Sequence, residues 1–335
     1  MALFLQSNKS VNYVFSLVNA DILVSIFWGI RSFAIRSFGS FNHLGFDRLG
    51  VDRLGTKMNG KIFVVTGANK GIGYGIVRGL AKQLNGSIIY LTARNSSLGQ
   101  TALQNLEKEL GDKKINNKII FHQLDITNEN SCKNFAEYLS KSHEGIDVLI
   151  NNAGFAFKNN ATEDPSIQAD ITIGINYYGT KLISNSLIPL INKGGRIVNV
   201  CSQGGIMNGN YYKYKKELVD IFRNPFTEAD IDKFVEDYKK FAKEDKRKEG
   251  GYPETAYGVS KAAEIALSLL QANELKTKGI IVNACCPGYV NTDMTSHKGH
   301  LTIDEGADTP IWLATAEDIP NGKFIYLRKP IEWLY

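Results

Sequence analysis

Apolar residues follow two alternating patterns along most of this chain. Short β-branched and aromatic runs close on glycine, asparagine or serine, and the stretches between them carry apolar residues three and four apart. Residues 61–66 (KIFVVT) read as a buried strand that enters a turn, followed by a helix with Ile72, Ile76, Leu80 and Leu84 on one face. Further strands are predicted over 87–93 (SIIYLTA), 118–124 (KIIFHQL), 147–150 (DVLI), 196–201 (RIVNVC), 280–285 (IIVNAC) and 323–327 (KFIYL). Helices are predicted from about Leu98, from about Asn128, over 167–191 and through 261–275. Regular β–α alternation predicts one α/β domain, a doubly wound parallel sheet with helices on both faces and right-handed crossovers. In such sheets ligands bind beyond the carboxyl ends of the strands.

Residues 1–57 break the pattern. Residues 13–30 are largely apolar and about long enough to span a bilayer, but Asn19 and Asp21 sit inside the run. An aspartate at mid-membrane costs roughly 2.5–3.5 kcal/mol on the insertion scale. No small-residue cleavage site follows, against a secretory signal. Arg31, Arg36, Arg48 and Arg53 then stand among Phe, Ser and Gly. Such a leader suits mitochondrial targeting and equally an extension that does not fold. The domain is expected to run over 58–335.

Composition changes little. Hydrophobic residues make up 43% and charged residues 22%, as in a globular protein with a sizeable core. The net charge of +5 is spread along the chain and gives no nucleic-acid footprint. Cys132, Cys201, Cys285 and Cys286 form no C-x-x-C pair, and the five histidines show no ligand spacing, so no metal is expected. Reduced thiols suit a cytoplasmic protein.

The first strand ends in Thr66–Gly73, TGANKGIG. Glycines at 67, 71 and 73 permit a tight turn and close backbone approach to a pyrophosphate at a helix N-terminus. Gly67, Asn69, Lys70, Gly71, Ile72 and Gly73 are therefore candidate cofactor contacts. An acid after the second strand would bind the 2′-hydroxyl of NAD. Here the segment reads Leu91-Thr92-Ala93-Arg94. Arg94 and Lys70 are two cations where a 2′-phosphate would sit, which points to NADP(H).

Tyr257 and Lys261 lie four apart, on one face of a helix. A phenol that donates a proton benefits from a nearby positive charge, which lowers its pKa. The spacing alone is cheap, since Tyr211 and Lys215 share it. Its company is more telling. Ser202 ends one strand, Asn151-Asn152-Ala153-Gly154 another, and Pro287–Met294 a third, while Asn176 stands in NYYGT.

With these motifs the chain resembles the short-chain dehydrogenase/reductase family, and within it the NADPH-dependent carbonyl reductase branch. TGANKGIG, LTAR, FHQLDIT, DVLINNAGFAFK, NYYGT, YGVSK and NACCPGYVNTDM carry the resemblance over roughly residues 60–330. It implies a Rossmann-like sheet and NADPH-dependent reduction of aldehydes, ketones or quinones. Tyr257 would be the general acid, with Lys261 holding the nicotinamide ribose and lowering the pKa of Tyr257. Ser202 would hydrogen-bond the substrate oxygen, and Asn176 would order a water that links Lys261 to solvent. Asp125 and Asn152, Ala153 and Gly154 would meet the adenine side and centre of the cofactor, unless Asp125 and Asn152 are only turn-formers. Val290 and Thr292 would hold the carboxamide, with Pro287 and Gly288 as further cofactor contacts. Cys286 matches a position near the substrate pocket, though a packed small residue is the simpler reading.

The simplest relatives place about a dozen residues between the serine and the tyrosine, whereas Ser202 and Tyr257 are 55 positions apart. The insertion, about 207–252, contains Thr227–Asp230, similar to a capping box, and then Ile231, Phe234, Val235, Tyr238 and Phe241 at helical spacing. In carbonyl reductases such an insert covers the helices that other members use to dimerise, so a monomer is expected, with a small-molecule carbonyl substrate and no nucleic-acid or membrane partner. Two other readings are a membrane-associated retinol- or steroid-type dehydrogenase anchored by residues 11–30, and a catalytically silent NADP(H)-sensing module.

Overall fold

The computed structural model describes residue 58 and residues 60–335 apart from 115 and 159, so the expectations for residues 1–57 lie outside the described residues. Eight strands form one sheet: β1 (Ile62–Val65), β2 (Ile88–Ala93), β3 (Lys118–Gln123), β4 (Ile146–Asn151), β5 (Ile191–Val200), β6 (Ile281–Cys286), β7 (Phe324–Tyr326) and β8 (Lys329–Pro330). Their order is β3-β2-β1-β4-β5-β6-β7-β8. The pairs are parallel except β7 with β8, which is antiparallel. The strands were legible because helices bury both faces of such a sheet, leaving near-continuous apolar runs.

The chain order reverses between β1 and β4, which opens a crevice at their carboxyl ends. On one face α1 (Gly71–Gln83), α2 (Ser96–Leu110) and α9 (Ile303–Thr315) press Ile76, Leu80, Leu106 and Leu313 onto Phe63 and Ile150. On the other, α3 (Glu129–Ser142) and α5 (Thr180–Leu187) pack Phe135, Ile183 and Leu187 against Val64 and Leu149. Asn95 and Asn128 cap α2 and α3, accepting from Leu98 N and Ser131 N.

The helix expected over 167–191 is not continuous. It runs as α4 (Pro165–Ile173), a π-helical turn at Gly174–Gly179, and α5. Pro189 has no amide hydrogen to extend the helix, and a short turn at Ile188–Leu190 leads into β5. That strand begins at Ile191, earlier than the pattern suggested, because Ile191 pairs with Ile146 across an irregularity before Arg196 meets Val148.

Between Ser202 and Tyr257 the chain forms two helices, α6 (Lys216–Arg223) and α7 (Glu228–Lys243). Pro225 ends the first. At Thr227 and Asp230 the capping box forms in both directions. Ile231, Phe234, Val235 and Tyr238 bury the apolar face of α7 in a cluster with α4 and α8 (Ala256–Glu274). Polar ties complete the seam. Tyr177 donates to Asp232 at 2.7 Å, and Lys181 lies 2.9 Å from Glu228 and 2.8 Å from Asp232. Covered on both sides, α8 is buried almost all round.

Among the described residues, no helix is long and apolar enough to cross a membrane.

Candidate active site

The loop from β1 to α1 is shaped by what its glycines lack. Gly67 has φ +61°, and a Cβ there would stand 2.7 Å from Ala153 Cα. A Cβ on Gly73 would meet Asn152 Nδ2 at 2.4 Å. Only glycine lets this turn lie against the end of β4. The contact is locked from the other side. Thr66 Oγ1 accepts from Asn152 N at 2.9 Å and Ala153 N at 3.0 Å, and Asn152 Nδ2 donates to Thr66 O and Gly67 O at 2.9 and 3.1 Å. Ala68 N donates to Thr92 O of β2 at 2.8 Å. Asn69 and Ile72 are half-buried along the loop, and Lys70 precedes the first turn of α1.

The two expected cations differ in state. Arg94, just past β2, is exposed and has no ion-pair partner among the described residues. Lys70 is exposed too but reaches across the crevice to Asp293, 2.8 Å away. Asp125, past β3, accepts from Thr127 N and Oγ1 at 3.0 and 2.7 Å, so it does form a turn. At the end of β6 come Pro287 and Gly288, the latter with φ +83°. Val290 is buried and bridges to Leu301. The Thr292 methyl would be 3.5 Å from a Cβ on Gly71, which brings this loop over the glycine turn.

Thr255 caps α8, accepting from Gly258 N, and sets Tyr257 and Lys261 one turn apart on the face toward β5. Lys261 Nζ lies 5.8 Å from the centre of the Tyr257 ring and donates to Val200 O at 3.2 Å. Ser202 follows β5, and its Oγ accepts from Gly204 N at 3.0 Å. Asn176 sits inside the π-helical turn, fully buried, where its amide binds Phe155 O and Ser260 Oγ, both at 2.9 Å, and accepts from Phe155 N at 2.7 Å. Gly154 lies between Asn176 and Lys261, for a Cβ on it would be 3.4 Å from Asn176 Oδ1 and 3.5 Å from Lys261 Nζ. The structure therefore brings together all four residues of the expected constellation. The rival pair, Tyr211 and Lys215, falls on irregular backbone, with Lys215 Nζ donating to Glu249 O at 2.5 Å.

The electrostatics depart from expectation. Lys261 and a hydrogen bond from Ser202 do pull the Tyr257 hydroxyl down, but burial and Glu264 push it further up, leaving it above the ordinary tyrosine range. Glu264 was not singled out from the sequence. It is almost fully enclosed, and its Oε2 lies 2.6 Å from Lys261 Nζ. A lone acid three residues after the lysine, within the apolar run AAEIAL, was the available signal. Thr66 was also missed, since a threonine closing a strand is unremarkable. Cys286 is buried, accepts from Gly288 N at 3.3 Å and lies 3.9 Å from Gln203 Oε1. Burial pushes its thiol up, so it is a packed neutral group.

Comparison with known proteins fits this geometry. The chain matches the family model described as short chain dehydrogenase over residues 61–214 and 247–301, and the gap contains α6 and α7. It is 40% identical over 284 residues to carbonyl reductase (NADPH) 1 of Bos taurus, covering 81% of this chain and 98% of that one. It is 36% identical over 263 residues to carbonyl reductase (NADPH) 3 of Rattus norvegicus, with 76% and 90% covered. Among solved structures, salutaridine reductase from Papaver somniferum is 30% identical with a TM-score of 0.71, covering 80% of this chain and 99% of that chain.

Proposed function

This chain belongs to the short-chain dehydrogenase family, and from that premise we propose that it reduces carbonyl groups of small molecules with NADPH, using Tyr257 as the proton donor. The observation that carries the reading is the convergence of Tyr257, Ser202 and Lys261 beside a tight glycine turn that opens α1.

The residues present fit a nicotinamide dinucleotide. Gly67, Asn69, Lys70, Gly71, Ile72 and Gly73 form a loop at the N-terminus of α1 whose three glycines leave its backbone open to a pyrophosphate. Arg94 and Lys70 suit a 2′-phosphate, and no carboxylate follows β2 to prefer a bare hydroxyl. Asp125, Asn152, Ala153 and Gly154 would line the adenosine and central part, with Val290 and Thr292 at the carboxamide and Pro287 and Gly288 as further contacts. When bound, the cofactor supplies the hydride.

This chain's residues then handle the proton. Tyr257 gives its hydroxyl proton to the carbonyl oxygen as carbon gains hydride, and the C=O π pair becomes the new O–H bond. Ser202 donates to the same oxygen and stabilises the charge that grows there. Lys261 holds the ribose and favours the phenolate left behind. Asn176, anchored to Phe155 and Ser260 and close to Lys261 beside Gly154, would order a water that returns the proton from solvent. Four buried free thiols accord with a cytoplasmic location, and the covered face of α4 and α8 accords with a monomer.

Oxidation of NADPH followed against quinones, aldehydes and ketosteroids tests the proposal. Turnover of at least one class, lost in Tyr257→Phe, is expected. No turnover with any class, at micromolar NADPH binding, would overturn it.

A further inference from the structure

Glu264 is a carboxylic acid inside the protein, side-chain exposure 1%, on a helix that is buried almost all round. A buried carboxylate is costly unless it is paired. Its Oε2 lies 2.6 Å from Lys261 Nζ, and its Oε1 accepts from Thr180 Oγ1 at 3.3 Å. Thr180 opens α5 at the end of the π-helical turn, so one short segment supplies both Asn176 and the anchor of Glu264. The ammonium that faces Tyr257 is thus shared with a carboxylate.

We propose that Glu264 is a positioning residue that neutralises the Lys261 ammonium, so that Tyr257 stays a phenol into alkaline solution and the upper pH limit of reduction is raised. The inference rests on the reading of Tyr257 as proton donor. An uncompensated ammonium beside a phenol favours the phenolate, and a neutral ion pair does so far less. The other groups facing this pair carry no charge. From the segment just after β5 come Cys201 and Ser202, from β6 Cys285 and Cys286, from the π-helical turn Asn176, and from α5 Thr180; burial holds the three thiols protonated. Tyr211, beyond Cys286, is itself shifted upward by burial. Lys261 and Glu264 are therefore the two charges that act on Tyr257. Burial works against the Lys261 charge, but Glu264, with smaller contributions from Tyr257 and Cys201, holds the ammonium above its ordinary range. Burial pushes the Glu264 carboxyl up to about 7, with Lys261 and Thr180 opposing, so it is ionised across the alkaline range where a tyrosine titrates.

The experiment uses the full chain with ¹³C-ring-labelled tyrosine and no ligand. The resonance missing from Tyr257→Phe identifies Tyr257, and its titration is followed by NMR. In Glu264→Gln the midpoint is expected to fall by about one pH unit or more, and in Glu264→Asp, which keeps the charge, by much less. The alkaline limb of kcat/KM for carbonyl reduction should fall in parallel. A midpoint and limb unmoved in Glu264→Gln overturn the proposal, as does a uniform loss of kcat at every pH, which would mean a scaffold role only. Should Glu264→Gln not fold, the wild type decides, since a Tyr257 midpoint below about pH 9 is incompatible with a neutralised lysine. Activity surviving in Tyr257→Phe would instead sink the functional reading, whatever the ligand-free titration showed.

Discussion

At the scale of single residues, the site separates groups that move protons from groups that place the cofactor. Tyr257 is the proposed proton donor, so Tyr257→Phe should lower kcat by about a hundredfold or more while NADPH still binds, as judged by quenching of protein fluorescence. Retention of more than a few per cent of kcat would contradict the role. Arg94 is remote from Tyr257 along the crevice, unpaired among the described residues, and exposed. A charge-assisted hydrogen bond is worth about 1.5–3 kcal/mol before screening. Arg94→Asp should therefore raise KM for NADPH by about tenfold or more and leave kcat nearly unchanged. Comparable use of NADH and NADPH by the wild type would refute the assignment. Gly67 combines positive φ with a Cβ position 2.7 Å from backbone, so steady-state titration of Gly67→Ala should show weakened NADPH binding in a chain that still folds.

At the scale of elements, two irregularities do the positioning. The π-helical turn at Gly174–Gly179 allows Asn176 to point at Phe155 and Ser260 while Thr180 faces Glu264, and such turns recur at functional sites. The insertion contributes a wall. Phe234, 1% exposed, sits among Tyr214, Phe222 and Tyr252 at ring separations of 5.1–6.3 Å. Phe234→Ala should destabilise the protein by about 3–5 kcal/mol in chemical denaturation. A loss below about 1 kcal/mol would show that α7 is only loosely applied.

At the scale of the whole molecule, the α4 and α8 face already has a partner within the same chain. Light scattering at micromolar concentration should accordingly report a monomer, and a stable dimer or tetramer would count against the insertion as a cover. The glycine turn, the eight strands and the full constellation lie within the described residues. A chain begun at Met58 is expected to fold and to reduce the same carbonyls; insolubility or inactivity would give residues 1–57 a necessary role.

The sequence by itself determined what depends on local chemistry. Strands buried on both faces read as apolar runs, TGANKGIG needs glycine wherever it is placed, and Thr227–Asp230 makes its own cap. What spans distant positions was decided only by the fold. Tyr257–Lys261 and Tyr211–Lys215 have the same spacing; motif company favoured the first, and the fold puts only that pair on a helix beside Ser202. The single helix expected over 167–191 gave way to a π-helical turn because Asn176 and Thr180 have partners that are remote in sequence. The pairing of Lys70 with Asp293, and of Lys261 with Glu264, was likewise hidden. Spacing shows which charges exist, but their effect falls with distance and grows with burial, and both are properties of the packed chain.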